Sequence, residues 1–338
     1  MLNPEIALDL GTSGLRIYVD GKGIVVNEPS AIAVDVRDDA VLASGREARQ
    51  LVDRAAKVVE VKDVFSWGRV QNFPMASYLL SKHLKKLSSG RISLPAAYVS
   101  SPDDMTPVER QAVVDIMDDN GIHKVYFMNE ACCAALGAGK NIYTTDPILV
   151  LDIGKSKSSC SVCRRGVPEI TRTLNIGGKE MDEALIRMVL KKYETQIGHL
   201  SVEELKIRTA AAVAPERDTF CEVRGMDIRT CMPKKVSVSS TDSTNAIAGM
   251  LSQITDLVMD VMAELDDESL KKLEKNGLTV VGGGAKITAL DKYLHRRTGL
   301  IVSIPTRPEL AAINGASTIF DLRDKYAREA LIRYTGAN

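Results

Sequence analysis

The chain of 338 residues lacks a net charge, since 44 Lys and Arg balance 44 Asp and Glu. That removes the electrostatic reason to expect nucleic acid or another polyanion as a partner, so specificity has to come from a site. It also lacks a disulfide framework. Six cysteines, at 132, 133, 160, 163, 221 and 231, are unevenly placed, and a bridge between neighbouring Cys132 and Cys133 in a helical stretch would be strained. Reduced thiols in a cytosolic protein fit best. Cys160-x-x-Cys163 has the spacing of a zinc or redox pair, but no second Cys/His pair completes a zinc site. The segment reads as a strand, where residues three apart point to opposite faces, so the pair is assigned to packing. The opening Met1-Leu-Asn-Pro-Glu5 lacks the charged and apolar regions of a signal peptide, and no run reaches the roughly 18 apolar residues of a spanning helix. The expectation is a chain that is neither secreted nor membrane-spanning.

What the chain does have is a pattern stated twice. Hydrophobic residues at 45% and charged residues at 26% suit one large or two medium globular domains. Within them Ile6-Ala-Leu-Asp9-Leu-Gly11-Thr12-Ser13-Gly14, followed by alternating Leu15-Arg-Ile-Tyr-Val19, aligns without gaps on Leu149-Val-Leu-Asp152-Ile-Gly154-Lys155-Ser156-Lys157, followed by Ser159-Cys-Ser-Val-Cys163. Each copy reads as a β-hairpin: an apolar β-branched run, a glycine-led loop of small residues, then period-two alternation. A carboxylate at the end of each first strand, with backbone N–H groups in each turn, suits a phosphate and its metal ion. One Asp-x-Gly alone is better read as a bland turn, but the in-register repetition argues for two related domains.

The rest of the chain alternates strand and helix, which makes the class α/β. Short strands broken at Glu28-Pro29, a strand over 41–45 and a helix over 46–51 form a small insert ending near Trp67. A helix over 75–87 and a strand over 91–99 follow. Thr106-Pro107-Val-Glu109 opens a helix with a capping box and proline at N1, its buried stripe being Val108, Ala112, Val113, Ile116 and Met117, and Gly121 ends it. Asn129-Glu130 starts an Ala/Cys-rich helix after a strand over 124–128. Beyond Gly177-Gly178 come a helix over 180–193, a second insert reaching about Ser240, and a long core-facing helix from Ile247 to Leu265. Leu278-Thr-Val-Val281 runs into Gly282-Gly283-Gly284-Ala285, with a helix over 287–298 immediately after and a last helix over 318–334. Three glycines between a strand and a helix N-terminus allow a ligand to approach the backbone closely.

Two Asp-led hairpins, a linking Glu-led helix and a late Gly-Gly-Gly-Ala resemble the superfamily of actin, sugar kinases and DnaK-type ATPases. Within it the chain resembles the MreB family of bacterial actins. The matching stretches run in family order: Ile6 to Gly14 with Gly23-Ile-Val-Val-Asn-Glu-Pro-Ser30, Asn129-Glu130 with Ala134-Ala135-Leu-Gly-Ala-Gly139, Asn175-Ile-Gly-Gly178 with Met181-Asp182-Glu183-Ala184, Val223-Arg-Gly225 with Met232-Pro233-Lys234, and Gly282 to Ala285 with Leu290-Asp291 and Thr298-Gly299. The resemblance implies an actin-like fold, two related ribonuclease-H-like domains around a nucleotide cleft, each with a small inserted subdomain. The expected large subdomains are 1–31 with 71–142 and 315–338, and 143–178 with 241–314; the inserts are 32–70 and 179–240.

The resemblance further implies ATP and Mg²⁺ as cofactors. Asp9 and Asp152 would hold the metal, partly through water. Gly11, Thr12, Ser13 and Gly14, with Gly154, Lys155 and Ser156, would meet the phosphates. Glu130 would orient the attacking water, with Asp152 as the second catalytic carboxylate, and Glu203 with Lys206 would contact the nucleoside. For that last pair a solvated i,i+3 ion pair is an equal reading. Gly282, Gly283, Gly284 and Ala285 would lie against the adenosine and α-phosphate. Family partners are further copies of the chain in paired head-to-tail protofilaments, the cytoplasmic membrane face and cell-elongation proteins.

Three departures matter. The second loop carries Lys155-Ser156-Lys157-Ser158-Ser159 where the family has glycine and threonine, so side chains stand where bare backbone would approach a phosphate, or lysines supply point charges to it. Slow ATP hydrolysis and binding without hydrolysis both remain open. The family's Glu-Glu-Pro is Asn129-Glu130-Ala131 here. Around Phe65-Ser-Trp67-Gly68-Arg-Val-Gln-Asn-Phe73-Pro74 an acidic stretch is replaced by aromatics, read either as a plug under the first insert or as a membrane-reaching loop. The rival functions are a small-molecule kinase and a chaperone, pilus or division adaptor of the same superfamily.

Overall fold

Alternating apolar residues at the start of the chain build a meander. Strand β1 (Ile6–Leu10) turns through residues 11–14 into β2 (Leu15–Val19), which returns through a glycine turn to β3 (Gly23–Glu28). The computed structural model describes residues 4–53, 58–87, 96–102, 104–322 and 332–336. Contacts divide the chain into two compact units: Met1–Val150 with Val162–Ile170 and Glu309–Asn338, and Leu151–Ser161 with Thr171–Pro308.

In the first unit the small insert holds β4 (Ala31–Asp35), β5 (Val41–Ser44), α1 (Arg46–Leu51) and β6 (Val59–Asp63), the strands in the order β5-β4-β6. The two-residue strands β7 (Phe65–Ser66) and β8 (Arg69–Val70) close it. There follow α2 (Phe73–Leu87), β9 (Ala97–Ser101), α3 (Pro107–Asp118), β10 (Val125–Asn129) and α4 (Glu130–Gly137). The capping box of α3 is present: the Thr106 hydroxyl accepts from the Glu109 N–H at 3.2 Å, and the Glu109 carboxylate accepts from the Thr106 N–H at 2.7 Å. Its buried stripe is Val113, Ile116 and Met117, but Val108 is 79% exposed, a correction to the expectation. At N2 of the helix it precedes the first inward-facing turn. The predicted strand over 91–99 begins only at Ala97 among the described residues, and 91–95 lie outside them.

The second hairpin follows as β11 (Ile148–Ile153) and β12 (Ser158–Arg164), with β13 (Val167–Leu174) beyond it. Then come α5 (Gly178–Tyr193), β14 (Thr195–Ile197), α6 (His199–Thr209), β15 (Phe220–Asp227) and β16 (Pro233–Ser239). Helix α7 (Ser240–Ala263) is followed by α8 (Asp267–Asn276), β17 (Leu278–Val281), α9 (Leu290–Thr298), β18 (Val302–Ser303), α10 (Ala311–Ser317) and β19 (Ile332–Gly336). By length and hydropathy α7 would qualify as a membrane span. Its apolar residues instead form a core stripe, with Ile247, Leu251, Ile254, Val258 and Val261 buried, and Asp256 on the opposite side lies 3.5 Å from Arg297. The expected terminal helix over 318–334 is corrected: Thr318–Phe320 is one 3-10 turn, 323–331 lie outside the described residues, and Ile332–Gly336 pairs antiparallel to β10.

The strand orders are β19-β10-β9-β1-β2-β3 and β13-β12-β11-β17-β18. In the first sheet β1 is parallel to β9 and β9 to β10, in a register that pairs Asp9 with Ser100 and Ser101 with Asn129. The carboxyl ends of three parallel strands therefore share one edge, the usual place for a ligand site in such sheets. The sheet is fixed by burial on both faces. Ile6, Leu8, Leu10, Leu15, Ile17, Val99 and Phe127 are at most 1% exposed, each burial contributing about 1.5–3 kcal/mol.

Candidate functional site

In the first unit the hairpin register brings Asp9 opposite Arg16 on one face of the sheet. The Arg16 Nη1 donates to Asp9 Oδ2 at 2.7 Å, and both side chains are largely buried, 10% and 15% exposed. Gly11–Gly14 of the turn lie over that pair: a Cβ added at Gly11 would stand 3.6 Å from Arg16 Nη1, and one at Gly14 3.6 Å from Nη2. The Ser30 hydroxyl donates to the Gly11 carbonyl at 2.7 Å. Because C=O and N–H of a trans peptide point in opposite directions, the Thr12 N–H is turned away from Ser30. The half-exposed Gly11 and Thr12 and the exposed Ser13 thus form a loop anchored from behind.

Two further segments close on this loop. The Trp67 N–H donates to Thr12 Oγ1 at 3.1 Å, from a residue at φ 58° next to Gly68 at φ 76°. A Cβ at Gly68 would lie 2.8 Å from Pro102 Cδ and 3.8 Å from Glu130 Oε2. Glu130 is the first residue of α4, positioned by Asn129, whose side chain caps the helix by accepting from the Cys132 N–H at 2.9 Å. The first loop, Trp67-Gly68 and Glu130 therefore lie together. Of the aromatic stretch, Phe65 is fully buried, Trp67 is half-buried beside Thr12 with Arg69 6.0 Å over its ring, and Phe73 is 40% exposed. Of the two readings of this stretch, the buried Phe65 and half-buried Trp67 suit the plug, and the positive-φ pair Trp67-Gly68 lets the turn meet the first loop.

In the second unit the same logic runs with different parts. The Gly154 N–H donates to the Lys157 carbonyl at 2.9 Å, and α5 backs the loop, the N–H of Gly178 donating to the Gly154 carbonyl at 3.0 Å and that of Lys179 to the Lys155 carbonyl at 2.8 Å. The N–H groups of Lys155 and Ser156 accordingly point away from α5. Gly177 permits this approach, since a Cβ there would sit 2.6 Å from the Lys155 carbonyl oxygen. Asp152, half-buried at the end of β11, lies against Gly282: a Cβ at Gly282 would overlap Asp152 Oδ1 and come within 2.5 Å of the Ile153 carbonyl oxygen. Gly282 has φ 81°, and a Cβ at Gly284 would overlap Ile153. Asp152, Gly154 and the Gly282–Ala285 loop are thus one cluster.

One expectation changes here, and Lys206 is placed by its partners. The triple glycine does not open a helix over 287–298; Gly283–Lys286 is a single 3-10 turn, Ala289 turns at φ 58°, and α9 starts at Leu290. Glu203 and Lys206 do lie on α6, but Lys206 pairs with Asp182 Oδ1 at 2.7 Å and donates to the Gly178 carbonyl at 3.0 Å. Lys206 therefore ties α6 to the N-terminus of α5, behind the second loop, and Asp182 is the residue that sequence reasoning missed. Arg16 was missed as well. The signal was present, since a four-residue turn with Leu10 opposite Leu15 obliges Asp9 to face Arg16.

The buried cysteines serve packing. Among the described residues no group of three or more His, Cys, Asp or Glu could hold a metal ion. Cys160 and Cys163 are both fully buried, and Cys163 Sγ lies 3.7 Å from Cys132 Sγ. Burial pushes the Cys133 and Cys160 thiols well above their ordinary range, which makes them inert packing groups.

Comparison with known proteins bears on the fold and the family. The family model for the MreB/Mbl protein matches residues 3–328. The cell shape-determining protein Mbl of Bacillus subtilis is 28% identical over 333 residues, covering 98% of this chain and all of that protein. The cell shape-determining protein MreB of Escherichia coli K12 is 27% identical over 334 residues, covering 96% of each. Among solved structures, MreB5 of Spiroplasma citri bound to ADP superposes with a TM-score of 0.90 at 27% identity, covering 95% of this chain and 97% of that one. The MamK double helical filament, at TM-score 0.79 and 18% identity over 95% of this chain and 99% of that one, shares the fold. The fold is actin-like, and the chain belongs to the MreB/Mbl family.

Proposed function

We propose that this chain is an ATP-binding bacterial actin that assembles head to tail into paired filaments and maintains cell shape by organising wall synthesis along the cytoplasmic membrane. The observation that carries the reading is the doubled Asp-x-Gly hairpin: each loop is anchored from behind through its carbonyls, so that backbone N–H groups face the other way. Such loops are anion cradles. MreB5 of Spiroplasma citri has been solved with ADP and with AMPPNP, which supports an adenine nucleotide as ligand here. Gly11 to Gly14 and Gly154 to Ser156 would meet the phosphates, and Gly282 to Ala285 the adenosine. Glu130, beside Gly68 of the turn that meets Thr12, is suited to orient water. With Lys155 and Lys157 in the second loop, slow or impaired hydrolysis belongs to the proposal, the two lysines either crowding the phosphate or adding positive charge to it. The four-part division into two large subdomains and two inserts follows the same family reading.

Magnesium fits this chain less well than its family implies. Asp152 remains as a carboxylate beside Gly282, but Asp9 is already engaged by Arg16 at 2.7 Å.

The single tryptophan supplies the test, because its backbone N–H is bonded to Thr12 in the first loop, which places the indole beside that loop. Titration with ATP or ADP is expected to change Trp67 fluorescence saturably, and Thr12→Ala should weaken binding by about tenfold or less, the worth of one hydrogen-bonded contact. Absence of binding by both fluorescence and calorimetry would overturn the nucleotide reading.

A further inference from the structure

The divalent ion that this family's site implies would need the Asp9 carboxylate, and the fold has already given that carboxylate a cation. Arg16 reaches it along a cross-strand pair, not through a mobile surface side chain. The guanidinium is held under both ends of the loop, 3.6 Å from where side chains of Gly11 and Gly14 would begin. Arg16 as a whole is 9% exposed, and its Nε is buried with no hydrogen-bond partner. A second cation brought to Asp9 would meet a carboxylate whose charge Arg16 already compensates, with the guanidinium itself only a few ångströms away in a poorly solvated setting. In the second hairpin the position equivalent to Arg16 is Ser159, and there the positive charge lies in the loop itself, on Lys155 and Lys157. Each phosphate loop therefore carries protein cations, by different means.

We infer that the Arg16 guanidinium is the built-in cation of the first phosphate loop, so that adenine-nucleotide binding by this chain does not depend on a divalent metal at Asp9. The inference rests on the proposed nucleotide site. Arginine suits the part because it stays charged at every physiological pH and gives up hydration more easily than an ammonium group. It neutralises Asp9, which would otherwise repel phosphates, and leaves the loop N–H groups facing a site with no excess negative charge behind them.

The test is calorimetric titration of the full chain with ADP in magnesium and in EDTA. The wild type is expected to bind with affinities within about threefold of each other in the two buffers. Arg16→Leu, which frees Asp9 for a metal, should lose about tenfold or more in EDTA and recover with magnesium, while Arg16→Lys keeps the charge and stays metal-independent. Loss of tenfold or more by the wild type on chelation would overturn the inference while leaving the nucleotide reading intact. No binding in either buffer would overturn both. If Arg16→Leu does not fold, the wild-type and Arg16→Lys comparisons decide the matter.

Discussion

Gly282 concentrates two constraints on one residue. Its φ of 81° disfavours any side chain, and a Cβ would overlap Asp152 Oδ1 and crowd the Ile153 carbonyl. Gly282→Ala is therefore expected to destabilise the fold by about 1–3 kcal/mol and to displace Asp152, weakening nucleotide binding. Urea unfolding together with ADP titration measures both. Gly283, with nothing within 4 Å of its would-be Cβ and no positive φ, is the control: Gly283→Ala should cost the fold little. At this scale the sequence was most legible where backbone demands were local. Asp9, Asp152 and the loop glycines stand out by type and spacing alone. Arg16 was legible only through hairpin register, and the pairing of Lys206 with Asp182 not at all, because it joins two helices whose packing no spacing encodes. Asp35 is a further local case. The side-chain and backbone N–H groups of Arg37 hold its carboxyl down to about 2. A carboxyl lowered below its unfolded value stabilises the fold above that value and loses the contribution as pH falls through the folded one. Asp35→Asn should thus lower the unfolding midpoint at neutral pH, with the difference shrinking as pH drops below about 4.

Between elements, the tightest packing is that of α4 on α10. A Cβ at Gly137 would overlap the Ala311 carbonyl oxygen, and one at Gly315 the Cys133 carbonyl oxygen, so the backbones touch. Small residues permit that approach, and α4 begins with Glu130, so the contact sets where this carboxylate stands. Gly315→Ala should destabilise by about 1–3 kcal/mol or more through overpacking, and urea unfolding will register it. The Ala/Cys-rich composition of α4 announced close packing, but α10 and α8 were not read from the sequence. Helix α10 has seven residues, too short for a periodic signal to stand out. The helix expected directly after the triple glycine starts three residues later, at Leu290, because nothing in Ile287-Thr288-Ala289 reveals that Ala289 turns left-handed. The cap of α3 was read correctly because Thr106, Pro107 and Glu109 carry the whole instruction within four residues.

At the scale of the molecule, a repeated hairpin identifies two related units and a family, while the partners each unit meets are settled by surfaces that a repeat does not describe. Head-to-tail assembly is a heterologous contact that does not close, so it extends into a filament. If nucleotide favours the assembly-competent arrangement, binding and polymerisation are linked, each strengthening the other by the same factor. Equal sedimentation in every nucleotide state would dissolve that linkage. The most direct measurement is sedimentation of the purified chain with ATP, with ADP and without nucleotide, followed by electron microscopy of the pellets. The account predicts paired protofilaments in the pellet, in greatest amount with ATP; a chain that stays monomeric in all three conditions would contradict it.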